Sequence, residues 1–190
     1  MKPAQAVIID NYDSFTHNLV QLIEQSTGIS PHVMLSGAID QQRLQQATHI
    51  ILSPGPGLPQ EAIGMMRTIE NFHRSKPILG ICLGHQALAA YFGAHLYRLP
   101  QVQHGITAQL QIIQENPLLH NVPQNTSIGR YHSWCVDRPT LPAELEALAT
   151  DQEGNLMVFA HTSLPIFGIQ FHPESFLTPA GHQIMQNFFQ

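Results

Sequence analysis

Pro77-Ile78-Leu79-Gly80-Ile81-Cys82-Leu83-Gly84-His85-Gln86 is the stretch whose reading decides the fold. An apolar run of strand character enters it and a helical pattern leaves it. Glycines two residues before and two after a cysteine let the backbone turn sharply from strand to helix, which leaves the sulfur at the tip beside the free amides of the helix start. The field there favours thiolate, the form of cysteine that attacks a carbonyl carbon. A buried structural cysteine in a Gly-rich βα turn has the same local pattern. Other parts of the chain decide between the two.

Upstream, residues 6–10 form a short apolar run ending in a polar residue, as in a buried parallel strand whose carboxyl end faces a site. Asp13 or Ser14 can cap the helix that follows, where Phe15, Leu19, Leu22 and Ile23 recur at helical spacing until Gly28. Strands are expected at 31–35 and 49–53 with a short helix at 41–46 between them. Ser53-Pro54-Gly55-Pro56-Gly57 is a stiff loop, and within its Pro54–Gly57 part only the glycines have backbone N–H groups. A helix from about Glu61 turns Met65, Met66, Ile69 and Phe72 inward, and Leu88, Tyr91 and Phe92 mark the buried face of the helix after the elbow.

Beyond Gly93 the pattern changes to closely spaced short strands, at 95–98, 107–113, 127–131, 133–137, 146–150 and 156–160, with a turn at 151–155. Such a run suggests antiparallel hairpins covering one edge. A last strand at 166–171 delivers His172-Pro173-Glu174, and a helix after Pro179 carries Ile184, Met185, Phe188 and Phe189 on one face. The expected fold is therefore α/β: a flavodoxin-like open, mainly parallel sheet flanked by helices, with additional antiparallel strands in the second half. One domain over residues 1–190 suffices. Sites in such sheets lie beyond the carboxyl ends of the strands, where Gly57, Cys82 and His172 all fall.

A cysteine nucleophile needs a base that later returns the proton to the leaving group, and the base needs a partner that fixes its tautomer. His172 and Glu174, two apart at a strand end, can point the same way and supply both. An oxyanion needs amide donors: Leu83 N–H comes with the elbow, and Gly57 is the candidate from the neighbouring loop.

Three segments together, the elbow at 80–86, the loop at 53–57 and Phe171-His172-Pro173-Glu174-Ser175, resemble the motifs of class I (triad) glutamine amidotransferases. Ile9-Asp10-Asn11-Tyr12-Asp13-Ser14-Phe15-Thr16 and Arg130-Tyr131-His132-Ser133 are similar to the small glutaminase subunits of anthranilate synthase and aminodeoxychorismate synthase. The resemblance covers nearly the whole chain. It implies that Cys82 attacks the carboxamide of L-glutamine to give a glutamyl thioester, that His172 moves the proton, and that Glu174 orients His172. It further implies an oxyanion hole from Gly57 and Leu83, and substrate contacts from Gln86 and from backbone at Ser133 and Trp134. The ammonia would pass to a chorismate-binding synthase subunit. Many relatives read His-Gly-Lys-Thr-Ser where this chain has His104-Gly105-Ile106-Thr107-Ala108, which loses a positive charge and a hydroxyl; Trp134 stands where many have leucine.

Two other readings use the same residues. One is the amidotransferase component of another biosynthetic synthase; the length and the 10–16 segment argue against it. The other is a silent scaffold for an ammonia-using synthase, against which an intact Cys82, His172 and Glu174 argue. An unrelated Cys-His hydrolase such as a peptidase would also be served by the elbow and triad.

Composition narrows the classes further. With 43% hydrophobic and 11% charged residues the chain is built to bury a core, and a net charge of −5 with no basic run argues against nucleic acid. No apolar run reaches membrane-spanning length, and residues 1–4 lead into the first strand without a signal-peptide pattern. Two cysteines make no disulfide framework, so a reducing, cytoplasmic setting is expected. The histidines show no metal-ligand spacing, and neither metal nor cofactor is expected on this chain. His85 reads as packing or support for the elbow, and Cys135 as a small buried residue. Asp10, Asn11 and Tyr12 suit either a partner contact or a simple strand-to-helix turn.

Overall fold

The structure, a computed structural model, describes residues 5–190; the lead-in reading of residues 1–4 lies outside the described residues. The first half alternates strand and helix: β1 (Ala6–Asp10), α1 (Thr16–Thr27), β2 (His32–Leu35), α2 (Gln41–Gln46), β3 (His49–Leu52), α3 (Ile63–Phe72), β4 (Ile78–Ile81) and α4 (Leu83–Tyr91). The second half is strand-rich: β5 (Leu96–Arg98), β6 (Ile106–Ile112), β7 (Thr126–Arg130), β8 (Trp134–Val136), β9 (Leu145–Thr150), β10 (Leu156–His161) and β11 (Ile166–Ile169), closed by α5 (Gly181–Phe188).

Among the described residues, nine strands form one sheet in the order β2-β1-β3-β4-β11-β10-β9-β6-β7, and β5 pairs with β8 apart from it. The first five in that order run parallel, and from β11 outward every pairing is antiparallel. The later strands thus extend the sheet and do not cover its edge. β1, β3 and β4 lack polar alternation because helices cover both faces. Ile8, Ile51 and Phe171 pack with Leu19 and Ile23 of α1 and Ile184 of α5; Ile9, Leu52 and Phe159 pack with Met65 and Ile69 of α3 and Leu88 of α4. No helix among the described residues is long and apolar enough to cross a membrane.

Three local expectations are corrected. The residue preceding α1 at its N-terminus is Phe15, with no side-chain cap. Asp13 instead accepts the Phe15 N–H at 2.8 Å, while Asp10 accepts from the Asp13 N–H and the Thr16 hydroxyl, so the acids order the turn before the helix. α3 starts at Ile63, because residues 59–61 form a separate 3₁₀ turn closed by Glu61 on the Leu58 N–H at 2.8 Å. Residues 83–89 of α4 are buried all round, whereas Tyr91 and Phe92 are only half-buried.

The register of β4 on β11 does most to position the site. Ile81 lies opposite Ile169, and the Cys82 N–H donates to the Ile169 carbonyl at 2.8 Å. The residue after each strand therefore stands beside the residue after the other, Cys82 beside Gln170. The His172 N–H donates to Gly129 and the Thr178 hydroxyl to the His172 carbonyl, which stitches the loop after β11 onto β7.

Candidate active site

Cys82 sits between β4 and α4 with φ 51° and ψ −99°, a conformation costly for an L-residue and held here by its surroundings. Both flanking glycines are required. A Cβ on Gly80 would run into the Gly84 backbone, and one on Gly84 would run into the Leu52 backbone and come within 2.7 Å of its Cβ. The elbow expected from the sequence is thus present, and Cys82 is buried at the floor of it.

His172 and Glu174 come together as expected. His172 Nδ1 lies 2.6 Å from Glu174 Oε1, and both side chains are buried. A carboxylate can only accept, so Nδ1 carries the proton and Nε2 is left free for the sulfur. Nε2 has no partner at hydrogen-bond distance, yet Cys82 is near enough to govern the ring's charge. Burial draws His172 toward the neutral form; the negative charge available on Cys82, reinforced by Glu174, outweighs it and holds the imidazole well above the ordinary histidine value. Phe15 and Tyr131 pack edgewise on the ring, with centroids at 5.8 and 4.9 Å. Neither aromatic was singled out as a site residue in the sequence.

A cleft of about 400 Å³ opens over the elbow, lined by Gly55, Gly57, Cys82, Leu83, Gln86, Arg98, Tyr131, His132, Ser133 and Trp134, among others. Gly57, Leu83, Gln86, Ser133 and Trp134 therefore all reach the same space as Cys82, while His172 and Glu174 do not line it. A larger cavity, about 1010 Å³, opens among residues 112–124 near α5, away from these groups. Leu83 opens α4, and first-turn amides have no partner within their own helix. Gly57 has φ +82°, and a Cβ there would press on Glu61 Oε2. A Cβ on Gly55 would strike the Asn11 carbonyl, so the loop is seated on the end of β1.

Two cleft residues are already engaged. Gln86 Nε2 donates to the Trp134 carbonyl at 2.8 Å, and His132 Nδ1 bonds the same oxygen at 3.1 Å, so both of its lone pairs are occupied. The Leu99 N–H takes one lone pair of the Ser133 carbonyl. Gln86 Oε1 and the remaining lone pair of the Ser133 carbonyl are left as acceptors for a ligand. The Trp134 carbonyl anchors the wall. Of the two departures at 104–108, Ile106 is exposed at the start of β6, while Ala108 is buried opposite Ile128, where a hydroxyl would face the core. Cys135 is fully buried and pushed up to about 12 by burial and then by Asp151, which makes it a packing residue and no second nucleophile.

Two further histidines are neutral. Burial drives His85, packed at a tilt against Phe159 with ring centroids 4.8 Å apart, down to about 3, and His132 down to about 4. Unfolded, both would protonate near pH 6.5. Stability is then complete above about pH 6.5 and falls as pH drops toward the folded values, by about 1.4 kcal/mol per pH unit for each ring. His172, with its raised value, is protonated in both states below pH 6.5 and adds no slope there. Urea unfolding at pH 7, 6 and 5 should show this decline, and His132→Gln should remove roughly half of it. Stability unchanged down to pH 5 would contradict the assignment.

A cysteine on a strand-to-helix elbow beside a carboxylate-paired histidine is the arrangement of a thiol-based acyl-transfer site. The chain belongs to the glutamine amidotransferase class-I family, whose pattern it matches over residues 7–190. It is 39% identical to an anthranilate synthase component 2 from Mycobacterium tuberculosis, covering 96% of this chain and 80% of that protein. It is 36% identical to an aminodeoxychorismate/anthranilate synthase component 2 from Bacillus subtilis, covering 97% and 95%. A solved chain from Thermoplasma acidophilum shares the fold, with a TM-score of 0.86 at 24% identity over 97% of this chain and 92% of that one.

Proposed function

We propose that this chain hydrolyses L-glutamine to glutamate and passes the ammonia to a chorismate-using synthase subunit. The observation that carries the reading is the 2.6 Å His172–Glu174 pair set beside Cys82 at the floor of a cleft sized for an amino acid. The Cys82 thiolate adds to the carboxamide carbon of glutamine, and the N–H groups of Gly57 and Leu83 receive the oxyanion. Protonated His172 gives its Nε2 proton to the departing nitrogen, which leaves as ammonia, and a thioester joins Cys82 to the glutamyl group. His172 then takes a proton from water, which attacks the thioester and returns the thiolate. Gln86 Oε1 and the Ser133 carbonyl are acceptors for the substrate's α-ammonium, with the Trp134 segment as the wall behind it. Side chains and backbone of this chain supply every group that these steps use.

The partner follows from the relatives, which are named as components of anthranilate and aminodeoxychorismate synthases. A reducing, cytoplasmic compartment suits a free thiol at Cys82. The test is glutamate release by the purified chain, alone and then with each chorismate-using subunit of the same organism. Release stimulated by one partner, with anthranilate or aminodeoxychorismate formed, supports the reading. Demonstrated complex formation without release would leave only a scaffold.

Glu174→Gln keeps an acceptor for Nδ1–H and removes the negative charge. The kcat for glutamate release should fall about 10²-fold with KM little changed, because the imidazolium that gives up its proton and later takes one from water loses its carboxylate partner while the substrate contacts stay. Steady-state kinetics read this directly, and an unchanged kcat would remove Glu174 from the site.

A further inference from the structure

Gln170 is fully buried at the end of β11, and neither its position nor its hydrogen bonds are accounted for by the triad. Its Nε2 lies 3.7 Å from Cys82 Sγ, and its Oε1 lies 3.1 Å from Gln86 Nε2. Gln86 Nε2 in turn lies 2.8 Å from the Trp134 carbonyl. These contacts fix the direction of the whole chain of amides. The Trp134 carbonyl can only accept, so the Gln86 atom facing it is the NH₂; the Gln170 atom facing that NH₂ must then be the carbonyl oxygen, and the Gln170 NH₂ is left for the sulfur. Cys82 therefore meets an N–H donor from Gln170 in addition to its neighbour His172.

We propose that Gln170 is a positioning residue that holds the Cys82 thiolate by an N–H donor and links it, through Gln86, to the wall of the substrate cleft. The proposal rests on the glutaminase reading of the same site and deepens it. A donor aimed at sulfur stabilises thiolate over thiol, since the anion accepts the stronger hydrogen bond. The thiol proton is directed toward His172, the other neighbour of the sulfur. The backbone of Gln170 is held independently, by its N–H on the Met157 carbonyl at 2.8 Å, so the side chain can be changed while the strand stays anchored. A ligand that engages Gln86 Oε1 would polarise the same chain of bonds and strengthen the donor on the sulfur.

The test is Gln170→Met, which keeps length and apolar bulk and removes the donor. Two readouts are compared: the rate of Cys82 alkylation by iodoacetamide against pH, and the kcat and KM for glutamate release. Alkylation at pH 7 should slow about tenfold, with the profile displaced to higher pH, and kcat should fall roughly 10- to 100-fold while KM changes less than about threefold. An unchanged alkylation profile would overturn the proposal, as would a rise in KM alone, which would make Gln170 mere support for Gln86. Alkylation does not require turnover, so an absence of glutaminase activity in the parent protein would sink the functional reading while leaving this one measurable. A wild-type measurement guards against misfolding of the variant: the Gln170 side-chain amide resonances of ¹⁵N-labelled protein should titrate together with Cys82 and lose that response in Cys82→Ala. Amide resonances that ignore the ionisation of Cys82 would also overturn it.

Discussion

Cys82→Ser is expected to abolish glutamate release from glutamine, a loss of about 10⁴-fold or more, while the complex with a chorismate-using subunit keeps its ammonia-dependent synthesis. A serine hydroxyl has no counterpart of the thiolate at neutral pH and makes a poorer leaving group when an acyl-enzyme breaks down. The substitution changes one atom in a site whose geometry is fixed by Gly80, Gly84 and the β4–β11 register, so the elbow survives and only the chemistry is lost. Measuring both activities on one preparation separates the two halves of the proposed function. Loss of both together would refute the division of labour, and retention of glutaminase activity would refute the nucleophile.

Asp151→Ala should cost about 3–5 kcal/mol of stability, a large part of what a domain of this kind has in total. Asp151 Oδ2 lies 2.8 Å from Arg130 Nη1, and the guanidinium and carboxylate are 3% and 0% exposed. The same carboxylate accepts the N–H groups of Glu153 and Asn155 at 2.9 Å each and so closes the β9–β10 turn. Truncation leaves the buried Arg130 facing only the exposed Glu153 carboxylate at 3.8 Å and opens the turn at one stroke. The site should feel it too, because Arg130 ends β7 just before His132, Ser133 and Trp134. Urea unfolding should show a lower midpoint, and the paired replacement Arg130→Met with Asp151→Leu should recover much of the loss, since no charge is then left unpaired. A loss below about 1 kcal/mol for Asp151→Ala would contradict this account.

The parts of the molecule legible in the sequence are those whose physics is local. Gly80 and Gly84 flank Cys82 within one turn, and His172 and Glu174 lie two residues apart, so spacing alone carries their geometry. The alternation of apolar runs and helical patterns through residue 92 likewise gave parallel strands in the expected places. What escaped depends on strand register. Gln170 stands beside Cys82 only because Ile169 pairs with Ile81, a contact across 88 residues, and Gln86 meets Gln170 across 84. A sharper signal was available: two parallel neighbours that each end in a polar residue before a functional turn place those residues side by side. Asp13 looked like a cap because acids at helix starts usually are, but the chain closes a tighter turn first. Its carboxyl is held above the usual range by burial, opposed by the Phe15 amide and His172.

The most direct test of the central claim is to mix the purified protein with radiolabelled L-glutamine, quench in acid during turnover and map the label after proteolysis. The account predicts an acid-stable, hydroxylamine-labile glutamyl group on the peptide that carries Cys82, absent in Cys82→Ser. Glutamate formed without any covalent label on that peptide in the acid quench, or label on the Cys135 peptide, would contradict it.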